Sequence, residues 1–280
     1  ITFSTNEIDI FKAGILCISK FTQHSVDLAI EIFKNPKFSE FCSNLDQGRI
    51  CTFEAIVELL DKTLQNHELY VKSQALRNGI APFLSLLSED SDACEEFKQC
   101  MINIINAAII IVEQIQSQEC EESFMLPAAK AFSMLIYGPE MVKYYMISNI
   151  HSFLFDTSRN DTVTFKVHVE VFRAICNLVC SSYYAETKVL IEMGFISLVE
   201  NQIEMMLKLP NTTIDALMKI VDFSNGCEEA KEWGNSIFDS EIIINQLQFI
   251  ADHSDVVDED NYAQDFVLNA KSLLNRRPYE

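Results

Sequence analysis

Residues 165–201 read FKVHVEVFRAICNLVCSSYYAETKVLIEMGFISLVEN, three helices in close succession. Phe165, Val169, Phe172, Ile175, Cys176 and Val179 fall at helical spacing, which predicts one apolar face of a helix over 165–179. Ser181 and Ser182 interrupt that helix. A short helix over 185–193 follows, and Gly194 supplies the backbone freedom for a sharp corner. A third helix opens over 195–206 on the stripe Ile196, Leu198, Val199 and Ile203. Phe172, Ile175, Leu198 and Val199 are the expected core of this phrase.

Working outward, the same phrase recurs. Toward the N-terminus the pattern gives helices over 8–21, 25–33 and 36–45. Others follow over 51–64 and 68–77, then a break at Asn78-Gly79 and a helix over 81–87. After an acidic turn at 88–91, residues 92–115 form the longest helix, and 116–122 is a polar, acidic loop. A helix over 124–136 is stopped by Gly138-Pro139, and shorter ones cover 140–146 and 149–155. Beyond the central stretch come 213–223, a helical region through Trp233, then 241–251 and 261–274. The acidic run 252–260 reads as a solvated loop, because blocks of like charge repel. Long helices thus begin near residues 8, 51, 92, 123, 165, 212 and 260. Most intervals are ~40–48 residues, the period of stacked helical repeats whose units bury their apolar faces only against one another. The interval from 92 to 123 is short, so one repeat there is degenerate or merged.

Composition agrees. Hydrophobic residues make up 49% of the 280, including 20 Phe, enough for a substantial core. Only 7 Gly and 6 Pro are present, too few for architectures that turn at every strand end, so the expected class is all-α. Nine Cys without framework spacing, most of them among apolar helix residues, are expected to be reduced and mostly buried. That usage points to the cytoplasm or the nucleus and makes the sequons at Asn160 and Asn211 accidental. No apolar run reaches membrane-spanning length. The chain starts at Ile1 without a Met or a signal-peptide pattern, so a piece of a longer protein is expected. Nothing of low complexity divides it, and 1–280 reads as a single repeat domain.

The residues resemble the armadillo family. In its three-helix repeat the third helix carries a pattern like A-L-x-N-L, and Ala174-Ile175-Cys176-Asn177-Leu178 is similar to it. The first helix ends in I/V-x-x-G and the second reads I-P-x-L-V-x-L-L. Ile191-Glu192-Met193-Gly194-Phe195-Ile196-Ser197-Leu198-Val199 resembles that junction, and so does 76–87, which includes Pro82. A HEAT-like array leaves a similar trace. The resemblance implies a right-handed α-solenoid of divergent armadillo-like helical repeats. Its concave groove, lined by third helices, would bind a segment of a partner protein.

The family's asparagine position, which contacts a partner's main chain in peptide-binding members, falls on Asn177 and Asn103; in the other units it is Lys20, Glu58, Met134 and Lys219. One turn earlier lie Leu16, Glu54, Gln99, Lys130, Arg173 and Asp215. Nuclear-import members carry tryptophan at that earlier position. The one Trp here, Trp233, lies outside the ladder, which argues against a receptor for basic import signals. The partner-binding positions are therefore Lys20, Asn103, Lys130, Arg173, Asn177 and Lys219. A capping or interhelix hydrogen bond explains Asn103 and Asn177 equally well, and a solvated face explains the basic residues taken singly. The implied partner segment has apolar anchors and acidic flanks.

Other chemistries find no support in the sequence. No phosphate-cradling glycine motif occurs, and the five His are isolated, with none in a zinc spacing. Cys176 and Cys180, one turn apart, read as two small buried residues rather than metal ligands. The expectation is no enzyme, no cofactor and no metal. With 41 acidic against 21 basic residues and a net charge of −20, a basic track for nucleic acid or a membrane surface is missing. Two readings of function follow: a scaffold that captures a partner segment, or a structural or oligomerising solenoid module of a larger protein.

Overall fold

The computed structural model describes residues 8–35, 50–78, 91–115, 122–136, 138–252 and 263–276. The expected helices over 36–45 and 81–87, the Gly79 corner and most of the acidic loops lie outside these residues. Among the described residues every regular element is helical and no strand occurs. The chain divides into two compact units, the first made of 1–138 and 161–171, the second of 139–160 and 172–280.

The first unit contains α1 (Ile8–Thr22), α2 (Val26–Lys34), α3 (Ile50–Leu64), α4 (His67–Asn78), α5 (Ser91–Ile115) and α6 (Glu122–Met134). Its centre is α5, the longest helix, which buries Phe97, Cys100, Met101, Ile104, Ile105, Ala108 and Ile111. Those positions recur every three to four residues, so one stripe faces inward from Phe97 to Ile111. Against it pack α2, α3 and α6. Ile56, Leu59 and Leu60 of α3 and the small Ala128, Ala129 and Ala131 of α6 fill the contact, with Phe132 fully buried. Burial of one such aromatic side chain contributes roughly 2–3 kcal/mol. Polar side chains set the helix starts. Ser25 Oγ accepts from Leu28 N at 3.2 Å before α2, and Asn66 Oδ1 accepts from Leu69 N at 3.1 Å before α4.

The second unit repeats a three-helix phrase. Its first helices are α7 (Pro139–Ile147), α10 (Tyr184–Glu192) and α14 (Lys231–Asp239), which begin about 46 residues apart. Second helices are α8 (Ile150–Ser158), α11 (Phe195–Asn201) with α12 (Glu204–Lys208), and α15 (Glu241–Asp252). Third helices are α9 (Phe165–Ser181, of which residues from Phe172 on belong to this unit), α13 (Pro210–Gly226) and α16 (Ala263–Leu274). Gly194 makes the expected corner with φ +95°, a left-handed conformation that an L side chain rarely takes. Pro210 opens α13, where its missing N–H costs no hydrogen bond. Phe172, Ile175, Leu198 and Val199 are buried as expected.

Three expectations need correction. The helix over 195–206 is two helices, α11 and α12, with a turn at Gln202-Ile203. The Gln202 side chain reaches away to donate to the Ser158 carbonyl, the last residue of α8, and satisfies an end carbonyl the helix cannot pair itself. Phe165 is 48% exposed, and Val167 and Val171 carry the buried stripe at the start of α9. From Phe172 onward both stripes are covered, which is why the pattern mixes two faces. The helix expected to end at 136 stops at Met134, with Pro127 inside it.

Candidate functional site

The six positions proposed for partner binding divide between the units, with Lys20, Asn103 and Lys130 in the first. Lys20 is exposed in the last turn of α1. Asn103 is half-buried on α5 and already engaged. Its Nδ2 donates to the Phe33 carbonyl at 2.6 Å, and its Oδ1 accepts from Gln99 Nε2 at 3.1 Å. The bond to Phe33 ties α5 to the last turn of α2, the interhelix role that the sequence left open. Lys130 is half-buried on α6, with its Nζ 3.7 Å from Asp61 Oδ1 on α3. Glu58 sits one turn before Asp61 and pairs with Lys62 at 3.8 Å. Lys130 therefore belongs to a mixed-charge network, and its positive charge is offset locally. The side chains of Leu16 and Glu54 lie outside the described residues.

In the second unit Arg173 is half-buried on α9, and Asn177, one turn on, is only 3% exposed. Lys219 is half-buried on α13 with its Nζ 5.0 Å from the centre of the Phe223 ring. Cations are drawn to the electron-rich ring face, so Phe223 holds Lys219 in place. Asp215, one turn before Lys219, accepts from Asn269 Nδ2 of α16 at 3.3 Å. Of the six positions only Lys20 is exposed; Asn103, Lys130, Arg173 and Lys219 are half-buried and Asn177 is buried.

The structure also brings together residues that the sequence did not connect. Tyr184, the first residue of α10, stacks on Trp233 of α14 with centroids 5.2 Å apart and planes 21° apart. Phe223 meets Tyr184 edge-on at 5.8 Å. Tyr184 Oη donates to Glu229 Oε2 at 3.3 Å. The preceding Tyr183 is 59% exposed, with Lys143 Nζ of α7 5.9 Å from its ring centre. A Tyr-Tyr pair next to a Ser-Ser break and the chain's one Trp behind two glutamates were the available signals. Their shared location needs the stacking of successive repeats.

Cys17, Cys100, Cys176, Cys180 and Cys227 are free thiols, as expected. They are not mostly buried: Cys100 and Cys176 are buried, Cys180 and Cys227 half-buried, and Cys17 exposed. The other four lie outside the residues whose side chains are described. Burial pushes the Cys100 thiol up to about 12. Burial also raises Cys176 well above the ordinary thiol value, with nearby Cys180 adding to the shift and a Thr213 hydrogen bond opposing it. A thiol as reluctant to ionise as Cys176 is a poor metal ligand. Among the described residues no three His, Cys, Asp or Glu gather as a metal site, and no helix is long and apolar enough to cross a membrane.

No family model and no curated protein matches the chain. Among solved structures it is similar to a designed armadillo repeat protein, at 12% identity over 98% of this chain and 97% of that one, with a TM-score of 0.51. Two engineered proteins from the Northeast Structural Genomics Consortium are also similar. One is 14% identical, with a TM-score of 0.42 over 96% of this chain and 70% of that one. The other is 15% identical, with a TM-score of 0.46 over 97% and 93%. The chain has an armadillo-like repeat fold, an all-α solenoid.

Proposed function

We propose that residues 1–280 act as one repeat array, a non-catalytic scaffold that binds a segment of a partner protein along its third helices. The observation that carries this reading is the armadillo-like fold itself. Stacked three-helix units present side chains from successive third helices as an extended surface, which is what such folds offer a partner. Arg173 and Lys219 supply positive charge at the second unit's third-helix positions in a chain of net charge −20. The partner segment then has apolar anchors, which supply most of the affinity, and acidic flanks, which steer encounter and fix register. Nucleic acid is not the partner, since the excess of carboxylates repels phosphate. The free thiols support a cytoplasmic or nuclear location.

Affinity capture with the chain as bait, followed by mass spectrometry, identifies the partner, and the Arg173→Glu, Lys219→Glu double variant then tests the surface. Binding is expected to weaken at least tenfold and to weaken further as salt screens the charges. The variant's melting must be read alongside, because Lys219 leaves the Phe223 ring and costs about 1 kcal/mol of stability. Unchanged partner affinity in a folded variant overturns the reading and moves the structural or oligomerising module ahead.

A further inference from the structure

The aromatic residues of the second unit form a chain of contacts that runs from its first helices to Phe223 and Lys219 on the third helix α13. Lys143 of α7 lies over Tyr183, Tyr184 follows Tyr183, Tyr184 stacks on Trp233, Phe223 meets Tyr184, and Lys219 lies over Phe223. The two outer rings, Tyr183 and Phe223, each hold a lysine from the chain itself. The two central rings, Tyr184 and Trp233, hold no cation among the described residues, although indole is the strongest cation-binding face of the set. Both stay half-exposed.

The electrostatics around those central rings are negative. Glu229 stands at the Tyr184 hydroxyl, and Glu232 adjoins Trp233 in the chain. Both glutamates are exposed, and neither forms an ion pair among the described residues. The neighbouring acids are spoken for: Glu228 pairs with Lys231, and Asp222 with Arg276. A stacked Tyr–Trp face with an unneutralised carboxylate at its rim matches a planar cation, which stacks on the ring while its N–H groups reach the carboxylate. The chain's charge of −20 attracts such a group from a distance.

We infer that Tyr184, Trp233 and Glu229 form a docking site for an arginine side chain of a partner protein, made by residues other than the third-helix positions. The guanidinium stacks on the aromatic pair and is held at its edge by Glu229. A lysine fits less well, because its ammonium lacks the flat face and the forked donors.

Trp233 is the only tryptophan of the chain, so its emission reports on this site alone. The whole chain is titrated at low salt with an acetylated hexapeptide of alternating glycine and arginine, and with its lysine and glutamate counterparts. The arginine peptide is expected to shift the emission along a saturating curve, the lysine peptide to need a higher concentration, and the glutamate peptide to do nothing. Glu229→Gln should raise the arginine peptide's half-saturation about three- to tenfold. Glu204→Gln removes the same charge from an exposed position on α12 and should leave half-saturation unchanged. Both are surface changes that keep the fold. No saturation with arginine, an equal response to glutamate, or equal effects of the two Gln variants overturns the site. Since no captured partner is used, failure here leaves the third-helix reading standing, and failure of that reading leaves this one standing.

Discussion

The two units differ in how deeply the hydrogen bonds between their helices are placed. In the first, α1 and α3 are joined through buried polar groups. Thr22 Oγ1 donates to the Ser19 carbonyl at 2.8 Å, and Thr63 Oγ1 lies 3.1 Å from Thr22 Oγ1. Asn66 Nδ2 donates to the Thr22 carbonyl at 2.8 Å. In the second, long side chains near helix ends donate to carbonyls of other helices, Arg159 to Met193 and Gln202 to Ser158, and one buried hydroxyl pair, Ser182 and Thr187, lies 2.6 Å apart. The difference lies in what replaces a lost bond. Water can replace the bond made by the exposed Arg159, but not those of the 3% exposed Asn66 or the fully buried Thr22 and Thr63. A buried partner left without a hydrogen bond bears the full cost of its desolvation.

The largest effect is expected from Asn66→Ala, which removes both the bond to Thr22 and the cap on Leu69. It should cost about 2–3 kcal/mol, read from the midpoint of urea unfolding. A cost under about 1 kcal/mol means the buried network of the first unit contributes little.

A smaller effect is expected at the second unit's corner. Gly194→Ala places a Cβ 3.2 Å from Arg159 Nη2 and holds a side chain at φ +95°. Backbone strain of this kind costs about 1–2 kcal/mol, and the arginine, being exposed, moves aside. If this variant destabilises more than Asn66→Ala in the same urea series, burial is not what separates the two sites.

The smallest effect compares thiols. At pH 8 under native conditions a colorimetric thiol reagent should modify Cys17 quickly and reach Cys100 and Cys176 only after unfolding. The folded thiols keep their protons at pH values where unfolded ones, near ~8.5, lose them. Unfolding then releases protons, so raising the pH from about 8 toward 12 should lower stability modestly. Rapid native labelling of Cys100, in the first unit, or Cys176, in the second, would contradict their burial.

The amino-acid order alone determined the helical class, the repeat period and the glycine corner at Gly194. Those features are local: apolar spacing fixes which face turns inward, and φ > 0 selects glycine whatever lies nearby. Phe172, Ile175, Leu198 and Val199 were legible as core for the same reason. The extra break at Gln202 was not, because it rests on a hydrogen bond to Ser158, 44 residues earlier in the chain. Nor was the exposure of Phe165, whose periodicity matches the buried positions after it; only the neighbours that cover a helix decide which of two apolar stripes is inside. The candidate positions divide the same way. Sequence placed Asn103, Lys130, Asn177 and Lys219 on helices, but tertiary structure decided that Asn103 binds the Phe33 carbonyl and that Lys130 answers Asp61. It also assembled Tyr184, Phe223 and Trp233, which lie far apart in sequence, because helices from successive repeats meet only once the repeats stack.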